Sequence, residues 1–461
     1  MKKFYNRTKE LETLNSHYKI TQDNTLITDV IMGRRRIGKT ELIKKYLEKK
    51  KSVYFYVTQK SSHVLLADFT TLLKQHYKIV PEKINSWEDF FNIIFEISLK
   101  ENLVIVFDEF QNFGEIDNAI FSILQKKIDE YKNKVKLHLI FIGSIQTLME
   151  KIFMEKKALF GRVDNFIRLE GFDFLEIKKI SQDHGLRDLR KIFNLYSIFN
   201  GIAKYYDILE KFDLFKKPLK EILAKTVIGK NTPLYKEGEN LLIEEFGREH
   251  KRYFDILFYL SIGKVKTNEI AMEMNLPVTT ISKYLSVLLL EYKLIEKRSV
   301  KSTRDNRYYI RDIFLKFWFS YIYGNYSKIE IDATDTILNN FEEDFRSMQG
   351  FVFEELARKL LYKKNLNKNF FPELTLSNYW DRVHEFDIYG QYKKDLIIGE
   401  IKLNQKAVNK KLIEKIEDFC NLQKNKNIFK VIISFEKIKN KQILEDLKNK
   451  NYYIFDFKSL L

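Results

Sequence analysis

Gly33-Arg34-Arg35-Arg36-Ile37-Gly38-Lys39-Thr40 has the spacing G-x-x-x-x-G-K-[ST] of a phosphate-binding P-loop. Gly33 and Gly38 permit a tight turn that aims successive backbone N–H groups at a phosphate. Lys39 is placed to reach the β- and γ-phosphates of a nucleotide, and the Thr40 hydroxyl to ligate Mg²⁺. Further on, Leu103-Val104-Ile105-Val106-Phe107 is an uninterrupted apolar run ending in Asp108-Glu109. A buried parallel strand delivers acids to the C-terminal edge of a sheet in this way. Asp108 then holds Mg²⁺, mostly through its water, and Glu109 polarises the attacking water. Leu137 to Ile142 reads as another central strand and ends in Gly143-Ser144, with Ser144 at the edge facing the γ-phosphate. Arg162, in Leu159-Phe160-Gly161-Arg162, is an arginine able to reach the phosphates.

A second set of reactive residues lies near the C-terminus. Asp387 falls near a strand start, and Glu400-x-Lys402 follows on the next apolar run, the spacing of PD-(D/E)xK nucleases. Strand alternation puts Glu400 and Lys402 on one face, where Asp387 can meet them. Two carboxylates bind Mg²⁺ through oxygen, and the lysine activates water or offsets charge on a scissile phosphate. Glu354, one helix earlier, is a further candidate ligand.

These residues need elements to hold them. Leu26 to Met32 reads as the strand entering the P-loop, and Glu41 to Leu47 as the amphipathic helix leaving it, adding the positive end of its dipole. Ser52 to Val57 is another strand-length apolar run. A helix is expected from near Ser86, with Glu88 and Asp89 in its first turn, to about Lys100. From Tyr253 the texture changes to three short helices. The third is expected over Val278 to Leu290, with Val278, Ile281, Tyr284, Leu285 and Leu288 on one face. Leu294 to Arg298 and Arg307 to Ile310 then pair around Ser302-Thr303-Arg304-Asp305. That pattern is a winged helix-turn-helix, with Thr279, Thr280, Ser282 and Lys283 as exposed recognition positions and Arg304 and Arg307 on the wing. The aromatics of Arg311 to Phe319 read as core. A last helix is expected over Phe341 to Leu361.

The 461 residues suffice for two or three domains with their own cores, and 45% apolar with 15% aromatic content argues against disorder. The net charge of +17 suits a polyanionic partner. A single cysteine, Cys420, excludes an internal disulfide framework and a cysteine-based zinc site. The N-terminus lacks a signal-peptide apolar core, and no run approaches membrane-spanning length, so a cytoplasmic protein without a membrane partner is expected.

Phe4-Tyr5-Asn6-Arg7 with Glu10-Leu11, Arg35-Arg36-Ile37-Gly38-Lys39-Thr40, Asp108-Glu109-Phe110-Gln111, Gly143-Ser144 and Leu159-Phe160-Gly161-Arg162 together resemble the archaeal ATPase family, a STAND-like branch of the AAA+ P-loop NTPases. The resemblance implies ATP and Mg²⁺ as cofactors, Asn6 and Arg7 flanking the adenine, Ser144 as sensor and Arg162 acting on the phosphates. It also implies a C-terminal domain of the nuclease-like kind. Where the family usually has Gly-Gly-x-Pro, this chain has Asn200-Gly201-Ile202-Ala203.

The expected fold is α/β: an AAA+-type parallel sheet with a helical lid (1–240), a winged helix (241–330), and a restriction-endonuclease-like α/β domain (331–461). The function read from it is an ATP-binding and ATP-hydrolysing protein that acts on DNA or another nucleic acid, with a homo-oligomer left open. The rival is a regulatory ATPase switch whose last domain is catalytically silent and binds a partner.

Overall fold

The structure, a computed structural model, describes residues 3–299, 306–381, 383–423 and 426–461. The chain packs as two compact units, Met1–Glu176 with Gly201–Asp207, and Ile177–Asn200 with Ile208–Leu461, where the sequence divides into three stretches.

In the first unit, strands β1 (Ile27–Met32), β2 (Ser52–Tyr56), β3 (Leu103–Asp108), β4 (Leu137–Gly143) and β5 (Asn165–Arg168) form a parallel sheet in the order β2-β3-β4-β1-β5. Every residue of β1, β3 and β4 is buried, as expected of strands covered on both faces. Helix α1 (Thr8–Ile20) precedes the sheet, and α2 (Lys39–Leu47) leaves the P-loop. Helices α3 (Ser62–His76), α4 (Trp87–Lys100) and α5 (Ala119–Tyr131) follow. Helix α4 starts where its acids place it: the Ser86 hydroxyl accepts the Asp89 N–H at 3.1 Å. Its Phe90, Phe91 and Phe95 join Val30, Met32, Phe55, Phe69, Phe107 and Phe141 in one aromatic-rich core. Because β4 lies between β1 and β3, the end of β4 separates the P-loop from the acidic end of β3.

In the second unit, α6 (Leu189–Phe199) is capped by Asp188, which accepts the Lys191 N–H at 2.9 Å. Helices α7 (His250–Ser261), α8 (Thr267–Glu273) and α9 (Val278–Ser286) precede the antiparallel ribbon β6 (Ile295–Ser299) and β7 (Asn306–Ile310). Two expectations for α9 need correction. The α-helix stops at Ser286 and continues as a π-helical turn to Glu291. Val278 is 45% exposed, outside the apolar face. A side chain in the first helical turn leans past the N-terminal end, where no preceding turn meets the core. Phe314, Phe317, Trp318 and Phe319 are all core, and the Trp318 indole donates to the Tyr235 carbonyl at 2.7 Å.

The helix expected over 341–361 is α10, running from Thr334 to Lys368. It begins just after the boundary drawn at 330/331 and carries Phe345 and Met348 as well as Phe353 into the core. Phe353 meets Phe193 of α6, so α6 and α10 share one interior. Strands β8 (Ser377–Trp380), β9 (Glu385–Tyr392), β10 (Asp395–Lys402), β11 (Asn427–Ser434) and β12 (Tyr452–Asp456) form a mixed sheet in the order β12-β11-β10-β9-β8. β8, β9 and β10 are antiparallel neighbours, and β10, β11 and β12 are parallel. The parallel connections run through α11 (Lys410–Asn421) and α12 (Lys441–Asn449).

Candidate functional site

The P-loop turns on Arg36 and Gly38, whose φ values of 69° and 99° lie in the left-handed region. Gly33 cannot carry a side chain: a Cβ there would sit 2.5 Å from the Leu169 carbonyl oxygen. The Lys39 ammonium is buried and donates to the carbonyls of Gly33 at 2.6 Å and Arg34 at 2.9 Å. Arg7, also buried, donates to the carbonyl of Ile37 at 3.4 Å and to that of Glu170, bracing the loop against the segment after β5. Its guanidinium lies 5.3 Å from the Phe172 ring centroid. Asn6 beside it is exposed, with φ at 54°.

Tyr5, Arg7, Ile37, Gly38, Phe172 and Ala203 line a cavity of about 340 Å³ beside the P-loop. Ala203 occupies the position of the expected family proline. Its neighbour Lys204 donates its backbone N–H to the Arg36 carbonyl at 3.2 Å, so this segment reaches the loop without the proline. Gly201 is obligatory, because a Cβ would lie 1.9 Å from the Phe172 carbonyl oxygen. A glycine cradle, a buried lysine and an adjoining half-apolar cavity fit a nucleotide.

At the end of β3, Asp108 accepts the Tyr54 hydroxyl on one oxygen and the Glu109 N–H at 2.9 Å on the other. Burial pushes its carboxyl above the ordinary value, with the Glu109 charge adding to the rise and the Tyr54 hydroxyl opposing it. Burial also raises the Tyr54 phenol, ahead of the Asp108 charge. Thr40 is exposed, and its hydroxyl interacts with Tyr54. Thr40 and Asp108 are thus the residues able to hold Mg²⁺. Glu109 has a left-handed φ of 55°, a sparsely populated state for a residue with a side chain. Its carboxylate accepts the Ser144 hydroxyl at 2.8 Å and the Gln111 amide, with Arg35 at 3.9 Å. Gly143 leaves room for this arrangement; a Cβ there would lie 2.7 Å from the Gln111 amide oxygen. Arg162 is engaged elsewhere in its own unit. Its guanidinium forms a two-point pair with Asp129 of α5, at 3.1 and 3.0 Å.

In the second unit, Asp387, Glu400 and Lys402 meet across β9 and β10. The Lys402 ammonium donates to Asp387 at 2.9 Å and to Glu400 at 2.5 Å, and the Ile401 N–H donates to Asp387 at 2.9 Å. Lys415 of α11 takes the other Glu400 oxygen at 2.7 Å. Both carboxylates are nearly fully buried, with exposures of 8% and 2%. Burial raises Glu400, with the Asp387 charge behind it. Burial opposes ionisation of Asp387 too, yet Lys402 and the surrounding donors hold it below the ordinary value. Glu354 of α10 feels the same centre: burial and then the Asp387 charge push it up to about 7. Arg358, one turn on, donates to the Asp387 carbonyl at 2.8 Å.

Of the positions expected on nucleic acid, Thr279, Ser282 and Lys283 are exposed on α9, while Thr280 is half-buried. The Arg307 guanidinium lies over the Trp380 ring, 3.7 Å from its centroid, so it is half-buried and does not point out as a wing residue. Arg304 lies outside the described residues.

Tyr54, Gln111 and Lys415 acquire contacts that spacing does not assign. Tyr54 carries a weak signal, since alternation along β2 sets it on one face with Tyr56, which pairs in register with Asp108. Lys415, in a lysine-rich helix, carries none.

Residues 4–205 match the family described as an ATPase domain predominantly from Archaea. Residues 318–416, which include Glu354, Asp387, Glu400, Lys402 and Lys415, match one described as archaeal and bacterial proteins of unknown function. An uncharacterised protein of Methanocaldococcus jannaschii is 29% identical over 420 residues, 90% of this chain and 90% of its own length. An ATP-binding protein of the same organism, also uncharacterised, is 50% identical over 48 residues, 10% of this chain and 76% of its own. A Walker-type ATPase of Pyrococcus abyssi has a TM-score of 0.52 at 17% identity, covering 68% of this chain and 96% of its own; that likeness is one of fold. No helix among the described residues is long and apolar enough to cross a membrane. The chain is thus similar to the archaeal ATPase family over residues 4–205 and to the archaeal and bacterial family of unknown function over residues 318–416.

Proposed function

We propose that this chain is an ATP-hydrolysing switch that acts on nucleic acid and cuts it in the C-terminal domain. The convergence of Asp387, Glu400 and Lys402 carries the cutting part of this reading, because two buried carboxylates beside an ammonium suit an attack on a phosphodiester. In the ATPase unit, Lys39 leaves the loop carbonyls for the phosphates, and Glu109 orients and deprotonates the attacking water while Ser144 and Gln111 hold its carboxylate. Mg²⁺, when bound near Thr40 and Asp108, supplies charge neutralisation on the phosphates. In the C-terminal site, Asp387 and Glu400 provide oxygen ligands, with Glu354 as a third acid, and Lys402 faces the scissile phosphate. Helices α7 to α9 with ribbon β6–β7 are read as a winged helix, which contacts the nucleic acid through Thr279, Ser282 and Lys283.

One observation favours the rival reading of a silent, partner-binding domain. Both Glu400 oxygens are held by ammonium groups, those of Lys402 and Lys415, which neutralise the site without a metal.

Incubating the full chain with DNA, Mg²⁺ and ATP, and following phosphate release and strand cutting together, separates the two. Lys402→Ala is expected to abolish cutting with metal binding nearly intact, Asp387→Ala to lose both, and ATP turnover to persist in each. No cutting of single-stranded, duplex or branched DNA, with Mg²⁺ or Mn²⁺, overturns the nuclease reading and leaves the regulatory switch.

A further inference from the structure

The sheet of the ATPase unit carries a polar centre that takes no part in the nucleotide chemistry above. Asp29 of β1 and His138 of β4 are completely buried. The strands are parallel with Ile27 opposite His138 and Asp29 opposite Ile140, so alternation turns Asp29 and His138 to the same face. That face is opposite Val30, Met32, Leu139 and Phe141, which belong to the aromatic core. His17 reaches the pair from α1: its Nδ1 lies 2.9 Å from each Asp29 oxygen. His138 Nε2 lies 2.8 Å from Asp29 Oδ2, and the Tyr46 hydroxyl of α2 lies 2.7 Å from His138 Nδ1.

One imidazolium suffices to neutralise one buried carboxylate. Here a second imidazole, wholly buried, aims its other ring nitrogen at the same acid while a tyrosine fixes its far side. Hydrogen bonding at the remote nitrogen is how a metal-ligating histidine is oriented. His17 Nδ1, His138 Nε2 and an Asp29 oxygen lie within 4.8 Å of one another.

We propose that His17, Asp29 and His138 form a binding site for a divalent first-row transition ion, of which Zn²⁺ is the type. Two imidazole nitrogens and one carboxylate oxygen suit such an ion, whereas Mg²⁺ requires an all-oxygen shell. The open fourth position belongs to water on the His17 edge, since the His17 side chain is 19% exposed and the other two ligands are fully enclosed. Protons balance without another reactant. His138 moves its proton to Nδ1, where the Tyr46 oxygen accepts it, and His17 gives up its Nδ1 proton to solvent while keeping the one on Nε2, so that both ligands are neutral imidazoles. With Asp29 and His138 fully enclosed, the ion is structural. It ties α1 to the strand that enters the P-loop, to the helix that leaves it, and to the strand that ends at Ser144.

Metal uptake by the full chain, using Zn²⁺ alone and then Co²⁺ as a spectroscopic probe in excess Mg²⁺, tests the site. The expected result is one ion per chain with Co²⁺ absorption of a nitrogen-ligated, low-coordinate centre, retained in Asp387→Ala, which removes the C-terminal carboxylate site. His17→Ala, on the partly open helix, should lose that ion; Tyr46→Phe should weaken it by about tenfold. Circular dichroism of His17→Ala identifies any unfolding, and Asp29→Asn then repeats the comparison. No nitrogen-ligated ion in the wild type, or the same stoichiometry and spectrum in folded His17→Ala, overturns the proposal.

Discussion

The Ser144 hydroxyl donates to the Glu109 carboxylate across 2.8 Å, joining the end of β4 to the end of β3. The proposed sensor and the proposed base are therefore one hydrogen-bonded group. Lys39→Ala is expected to abolish nucleotide binding or turnover. Glu109→Gln should spare binding and lower hydrolysis on the order of 10²-fold or more, because only proton acceptance from water is lost. Ser144→Ala should fall between, at about tenfold, since Gln111 still holds the carboxylate. Phosphate release at saturating ATP, alongside nucleotide titration, checks all three; full turnover in Glu109→Gln removes that residue from its role.

The Arg162–Asp129 pair sits at the surface, where such pairs contribute about 0–1 kcal/mol. Asp129→Ala should therefore leave thermal stability nearly unchanged. If Arg162 acts on the phosphates of a neighbouring copy, Arg162→Ala lowers turnover while Asp129→Ala does not, and the wild-type specific activity rises with protein concentration. Turnover unchanged in Arg162→Ala assigns the residue to structure alone.

Lys283 and Arg307 should behave oppositely. Lys283→Ala is expected to weaken DNA binding and reduce the slope of log K against log salt by about 1. Arg307→Ala should leave that slope unchanged and lower the melting temperature, because its cation rests on Trp380 in a half-buried stack that contributes about 1–2 kcal/mol. A salt titration and a melting curve on each variant decide the matter.

Lys316 offers a pH prediction. Its ammonium is buried 3.8 Å from the Phe351 ring centroid, and burial, with Arg298 adding to it, lowers its pKa from 10.5 to about 8. The unfolded chain then binds more protons than the folded one between those values, so stability rises with pH across that window. Below pH 8 the full penalty of burying the charge is present. Lys316→Met should stabilise the protein at pH 7 by on the order of 1–3 kcal/mol, with the gain fading above pH 10. Urea unfolding at pH 7, 9 and 10.5 measures it; an equal gain at every pH removes the charge from the explanation.

The P-loop, the acidic end of β3 and the Glu400-x-Lys402 pair are legible in sequence because local spacing encodes them. Glycines set a turn, an apolar run sets a buried strand, and period-two alternation sets a shared face. What local spacing cannot carry is strand order and the path of helices. Ser144 meets Glu109 only because β4 is inserted between β1 and β3. Arg7 grips the loop from thirty positions away in the chain, and Arg307 finds Trp380 instead of solvent. His17, Asp29 and His138 come from three elements, His17 from a largely polar helix and the other two from apolar strands, and each is unremarkable alone. Phe353 of α10 meets Phe193 of α6 across 160 positions of chain, a contact that no local pattern announces. Residue types and short spacings thus determined which residues are candidates for chemistry. Only the tertiary structure decided which groups hold each candidate side chain in place, because those partners are set by burial and strand order at long sequence separation.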